Sequence, residues 1–108
     1  MFFSKKDTNS NELELLEYQK SGAAIIDVRT EEEFENGHIE GSINMELSTI
    51  PAQISAIKEL DKKIIMVCLS GGRSHQAVQF LKQHQIDAVN GGGWEQLSAI
   101  LAQGDSLD

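Results

Sequence analysis

The run IIMVCLSGGRSHQAVQFL, from Ile64 to Leu81, limits what this chain can fold into more than any other stretch. An apolar segment bounded by Asp61, Lys62 and Lys63 passes into Cys68-Leu69-Ser70-Gly71-Gly72-Arg73, and apolar positions resume at helical spacing with Ala77, Val78 and Leu81. That order predicts a strand, a tight loop and a helix from Ser74 to Gln83, with the only cysteine at the junction. Ser74 is the expected cap, its hydroxyl accepting from an otherwise unpaired backbone N–H. The loop then faces a helix N-terminus, which offers free amide donors and the positive end of the macrodipole. Gly71 and Gly72 let successive amides turn inward into a small anion-binding cup, and Arg73 can add a fixed positive charge. A sulfur over such a cup ionises readily: a free thiol titrates near pH 8.5, and helix N-termini can bring it to roughly 3.5–7.5. The plainer reading is a buried cysteine that packs as a small hydrophobe at a strand end. The Ser-Gly-Gly-Arg-Ser turn that follows favours the reactive one.

The rest of the chain alternates helix and strand signals. Asn9 or Asn11 can cap a first helix that runs to Lys20, with Leu13 and Leu16 on one face and Gly22 as its stop. Ala23 to Val28 reads as a buried strand. Thr30 and Glu33 form a capping box for a short helix that turns Phe34 inward and ends at Gly37, and Ser42 to Met45 gives a second short strand. Ser48 is the expected cap of the next helix, with Pro51 in its first turn and Ile50, Ile54 and Ile57 in one stripe. Ile86 to Val89 gives a last strand, after which Gly91 to Gly93 turn the chain into a helix carrying Trp94, Leu97, Ile100 and Leu101. This pattern predicts an α/β fold with a mostly parallel sheet of four to five strands and helices on both faces. In such folds sites lie at the carboxyl ends of strands, where Cys68 stands.

A chain of 108 residues fits one domain, with a core over about 9–103 and loose termini at 1–8 and 104–108. A hydrophobic fraction of 40% argues against disorder. The formal net charge of −8 disfavours nucleic acid and anionic membranes as partners, so any anion site must be local. One cysteine excludes an internal disulfide and a resolving thiol in the same chain. No segment reaches the ~18 apolar residues of a membrane span, and MFFSKKDTNSN lacks the order of a signal peptide. The expectation is a cytoplasmic monomer whose thiol stays reduced.

Four pieces together resemble the rhodanese-like domains, single-domain sulfurtransferases, over about residues 13–103. They are Cys68 to Arg73 in the pattern Cys-x-x-Gly-x-Arg; Ile26-Asp27-Val28-Arg29 with Glu31 to Phe34 behind it; Gly37-His38-Ile39-Glu40-Gly41-Ser42-Ile43-Asn44; and Gly91-Gly92-Gly93-Trp94. The resemblance implies a three-layer rhodanese-like fold and a sulfurtransferase with Cys68 as nucleophile. Cys68 would take a sulfane sulfur from thiosulfate, or from a neutral or protein-bound persulfide, and pass it to cyanide or a thiol, a protein thiol included. The amides of Leu69, Ser70, Gly71, Gly72, Arg73 and Ser74 would hold the outer sulfur, with no metal or organic cofactor. The resemblance assigns Asp27, Arg29 and His38 mainly to structural support. Many relatives carry a basic residue where Leu69 stands, which weakens thiosulfate as the donor. Arg73 could stabilise charge at the cup or tie the loop to an acid such as Asp27 or Glu40. Metal binding by His38, His75, His84 and Cys68 has no ligand spacing behind it. Trp94 reads as core, and Glu31 to Glu33 as a solvated helix start.

Two rivals share features with this reading. A cysteine phosphatase or arsenate reductase needs Cys-x5-Arg, which would place the arginine at position 74, occupied here by Ser74. A non-catalytic or sulfur-relay module that binds a partner protein would usually lack the nucleophile, and Cys68 is present.

Overall fold

The computed structural model describes residues 10–106. In chain order the elements are α1 (Ser10–Lys20), β1 (Ala24–Asp27), α2 (Glu31–Glu35), β2 (Ile43–Asn44), a 3-10 helix (Leu47–Gln53) that runs into α3 (Ile54–Leu60), β3 (Ile64–Cys68), α4 (Gly72–Gln83), β4 (Ala88–Gly93) and α5 (Trp94–Ser106). Four strands pair in the order β2-β1-β3-β4, all parallel. Parallel neighbours need crossovers, and the helices that supply them cover both faces.

β3 is the axis of this arrangement because it is buried at every position. Successive side chains on a strand point to opposite faces. Ile64, Met66 and Cys68 therefore join Ile57, Ala77, Val78 and Leu81 in one core, while Ile65 and Val67 join Leu15, Leu97 and Leu101 in the other. The sheet is thus the middle of three layers, with α3 and α4 on one side and α1 and α5 on the other.

Strand β3 has the bounds its sequence predicts, and the capping box is made in both directions. Thr30 Oγ1 accepts from the Glu33 amide at 3.2 Å, and a Glu33 carboxylate oxygen accepts from the Thr30 amide at 2.9 Å. Other expectations are corrected. Leu13 is 51% exposed, and Leu15 fills the core instead, with Tyr18 one turn further along packed beside it. Phe34 is half-buried rather than inward, its ring stacked on His38. Ser48 does not cap a helix; it lies inside the 3-10 segment, which Glu46 precedes. Pro51 brings no N–H, and the tighter i→i+3 turns accommodate it while Ile50 and Ile57 still reach the core. The last helix reaches Ser106, beyond the expected core boundary at 103. Asn9, the leading phenylalanines and residues 107–108 lie outside the described residues.

The largest departure is β4. Gly91 to Gly93 were expected as a turn and are strand. The pairing of β3 with β4 steps from Met66↔Asn90 to Val67↔Gly92, so Gly91 is an extra residue in a bulge. A Cβ on Gly91 would lie 2.8 Å from Ile65 and 3.0 Å from Val67, which leaves glycine as the residue that fits. Among the described residues no helix is long and apolar enough to cross a membrane.

Candidate active site

Cys68 ends β3 at the carboxyl edge of the sheet. Gly71 follows in the left-handed region (φ 107°), a conformation that glycine adopts without Cβ strain, and it serves as the N-cap of α4. The helix consequently opens at Gly72, earlier than expected, and Ser74 is its third residue rather than its cap. That shift turns Ser74 onto the sulfur. Cys68 Sγ accepts from the Gly71 amide at 2.9 Å and the Ser74 amide at 3.4 Å, and lies 3.4 Å from Ser74 Oγ.

Cys68 is 1% exposed and belongs to the apolar core, so the plainer reading of a packed cysteine is correct as to burial. Burial by itself pushes the thiol up. The Ser74 hydroxyl and then the amides of Ser74, Gly71 and Ser70 outweigh it, and the thiol ionises below its ordinary value. Leu69, 59% exposed, and Gly72, also exposed, direct no hydrogen bond at the sulfur among the described residues.

Sequence reasoning missed Asn90, which supports the cup from β4. Its Oδ1 accepts from Ser74 Oγ at 2.6 Å and from the Gly92 amide at 2.9 Å, and its Nδ2 donates to the Gly71 carbonyl at 3.1 Å. A signal was available: asparagine is disfavoured inside strands, and this one precedes a run of glycines.

Arg73 ties the loop to an acid, but to neither expected partner. Its guanidinium grips the Glu33 carboxylate at 3.0 and 3.2 Å, fork to fork, across to α2. Arg73 first and the Thr30 amide second hold the Glu33 carboxyl down at about 2. Asp27 pairs with Arg29 instead, at 2.9 Å and out of solvent. Arg29 also donates to the Gly37 carbonyl at 2.7 Å and lies 4.9 Å from the centre of the Trp94 ring. Asn44 Nδ2 donates to the carbonyls of Asp27 and Arg29 at 3.1 and 2.9 Å, which fastens β2 to the end of β1. His38 is exposed, stacked on Phe34 with its Nδ1 2.7 Å from the Phe34 carbonyl. None of the side chains of Asp27, Arg29 and His38 hydrogen-bonds the 68–74 loop among the described residues, where no His, Cys, Asp and Glu cluster fit for a metal occurs either.

A thiolate so held is a nucleophile, and an anionic atom attached to Sγ would meet the same amides.

The family model described as the Rhodanese-like domain matches residues 11–100. Over 79 residues the chain is 34% identical to the thiosulfate sulfurtransferase GlpE of Stutzerimonas stutzeri (strain A1501), covering 71% of this chain and 72% of that protein. Over 86 residues it is 31% identical to the thiosulfate sulfurtransferase GlpE of Shewanella oneidensis, covering 80% and 83%. Among solved structures, a rhodanese-related protein from Thermoplasma volcanium is similar with a TM-score of 0.69 and 33% identity, over 85% of this chain and 90% of that one.

Proposed function

Since this chain belongs to the rhodanese-like domain family, we propose that it is a sulfurtransferase and that Cys68 carries the sulfur. The thiolate attacks the outer sulfur of a donor. The donor's bond to that sulfur breaks, its electron pair leaves with the remainder (sulfite when the donor is thiosulfate), and Cys68 retains a persulfide. A thiolate or cyanide then attacks the outer sulfur, the S–S bond breaks toward Sγ, and the Cys68 thiolate is restored. Sulfur changes hands with no external oxidant, metal or organic cofactor.

The observation that carries this reading is the convergence of the Gly71 and Ser74 amides and the Ser74 hydroxyl on one sulfur. Those donors meet negative charge on Sγ in the resting form and on the outer sulfur in the loaded form. The Cys-x-x-Gly-x-Arg loop is one residue shorter than a phosphatase loop, which suits a single sulfur atom better than a tetrahedral oxyanion. A free Cys68 thiol also fits a reducing compartment such as the cytoplasm.

The test is to incubate the protein with thiosulfate or with an alkyl persulfide, weigh the Cys68 peptide, and follow thiocyanate formation on adding cyanide. One added sulfur on that peptide is expected, together with loss of transfer in Cys68→Ser. Transfer undiminished in Cys68→Ser, or no loading from any donor, would overturn the proposal.

A further inference from the structure

We propose that Glu46 sets the charge class of the sulfur acceptor, admitting uncharged or cationic thiols and turning anionic ones away. This rests on the reading of Cys68 as the sulfur carrier. Cys68 is nearly sealed, so an acceptor has to lie against its loop to reach the outer sulfur. A groove of about 270 Å³ that shares Arg73 with the loop is lined by Val28, Thr30, Glu46, Leu47, Ser48 and Arg73. Val28 follows the Asp27↔Val67 pair by one residue and donates its amide to the Val67 carbonyl at 2.9 Å, so the groove wall is Cys68's neighbour across the sheet. Ligand pockets commonly measure ~300–1,000 Å³. This one suits a small thiol, or a single cysteine side chain of a larger acceptor.

The charge of the groove follows from its walls. Both terminal nitrogens of Arg73 are committed to Glu33, so that pair is neutral as a unit. Val28, Leu47, Thr30 and Ser48 carry no charge. Glu46 makes no capping bond to the 3-10 helix it precedes, and it takes part in no ion pair among the described residues. The groove is left with one unbalanced carboxylate. The backbone that carries Glu46 is fixed relative to Cys68: the Leu47 amide donates to the Val28 carbonyl at 3.1 Å, and the Thr49 amide and hydroxyl donate to the Glu46 carbonyl at 2.8 and 2.7 Å.

The step governed is the second one. The acceptor thiolate attacks the outer sulfur, the S–S electron pair passes to Sγ, and the acceptor leaves as a persulfide with any proton the outer sulfur held. A cationic tail beside that thiolate is drawn to Glu46 and a carboxylate tail is repelled.

The protein is loaded with one sulfur, and discharge is timed with cysteamine, 2-mercaptoethanol and mercaptoacetate at equal thiolate concentration. Cysteamine should be fastest. Comparing each variant with the parent cancels intrinsic thiol reactivity. The cysteamine-to-mercaptoacetate ratio should fall roughly two- to fivefold in Glu46→Gln, the range for a partly exposed charge pair. Added salt should narrow it in the parent but not in Glu46→Gln. Glu46→Asp should keep most of the preference, and Glu59→Gln, the same charge change on the far end of α3, should keep all of it. Sulfur loading of each variant reports that its cup is intact. An unchanged ratio in Glu46→Gln, or an equal fall in Glu59→Gln, would overturn the role of Glu46 while Cys68-dependent transfer stood. Absence of Cys68-dependent transfer to every acceptor would overturn the carrier reading and this inference with it.

Discussion

Ser74 has one hydroxyl proton and three acceptors within reach: Asn90 Oδ1 at 2.6 Å, the Gly71 carbonyl at 3.2 Å and Cys68 Sγ at 3.4 Å. While Cys68 is a thiol, the short bond to Asn90 claims that proton; once the sulfur ionises, a charge-assisted bond competes for it. The two amides cannot rotate away and serve the anion throughout. Hydrogen bonds to charged groups contribute ~1.5–3 kcal/mol, so Ser74→Ala should raise the pH midpoint of iodoacetamide alkylation at Cys68. The parent midpoint should itself lie below that of a free thiol, about 8.5. Because the folded thiol is depressed, its ionisation adds stability that is fully present above the ordinary value and is lost as pH falls through the lowered folded one. The difference in urea midpoint between parent and Cys68→Ser should shrink in that direction.

At the scale of elements, the Arg73–Glu33 pair clamps the start of α4 to α2. Glu33→Gln keeps the capping interaction with Thr30 and removes the charge. Glu33 is depressed from 4.5 to about 2, so its contribution is complete above pH 4.5 and is lost as pH falls through about 2. Urea midpoints of parent and Glu33→Gln should differ by a constant above pH 4.5 and converge towards pH 2. Glu33 was legible as a capping residue because its partner is three positions away. Its bond to Arg73 was not, because that partner is 40 positions away and nothing local selects it over Asp27 or Glu40. The same division runs through the helices. β3 and the capping box are written in adjacent residues, whereas the inner face of α1 depends on where its first turn starts. With leucines at 13, 15 and 16, a small rotation decides which of them is buried.

At the scale of the molecule, the two cores share one sheet, and Cys68 sits at the end of the row that Ile64 and Met66 begin. Truncation at Leu81, which is fully buried beneath that row, should cost ~2–5 kcal/mol by denaturant titration. The alternation of strands and helices was enough to predict the layers. The glycine strand was beyond local rules, since glycine is there for what surrounds it: a Cβ at Gly93 would lie 2.7 Å from the Leu69 carbonyl of the loop. At the bulge two residues stand where β3 has one, with Gly92 and Gly93 still opposite Val67 and Cys68. A Cβ at Gly91 would come within 2.8 Å of Ile65, and one at Gly93 within 2.7 Å of the Leu69 carbonyl, so this strand passes between its neighbours only while it is bare of side chains. A codon-by-codon alanine survey should find Gly91 and Gly93 among the least forgiving positions of the chain and the exposed corner at Lys62 among the most tolerant.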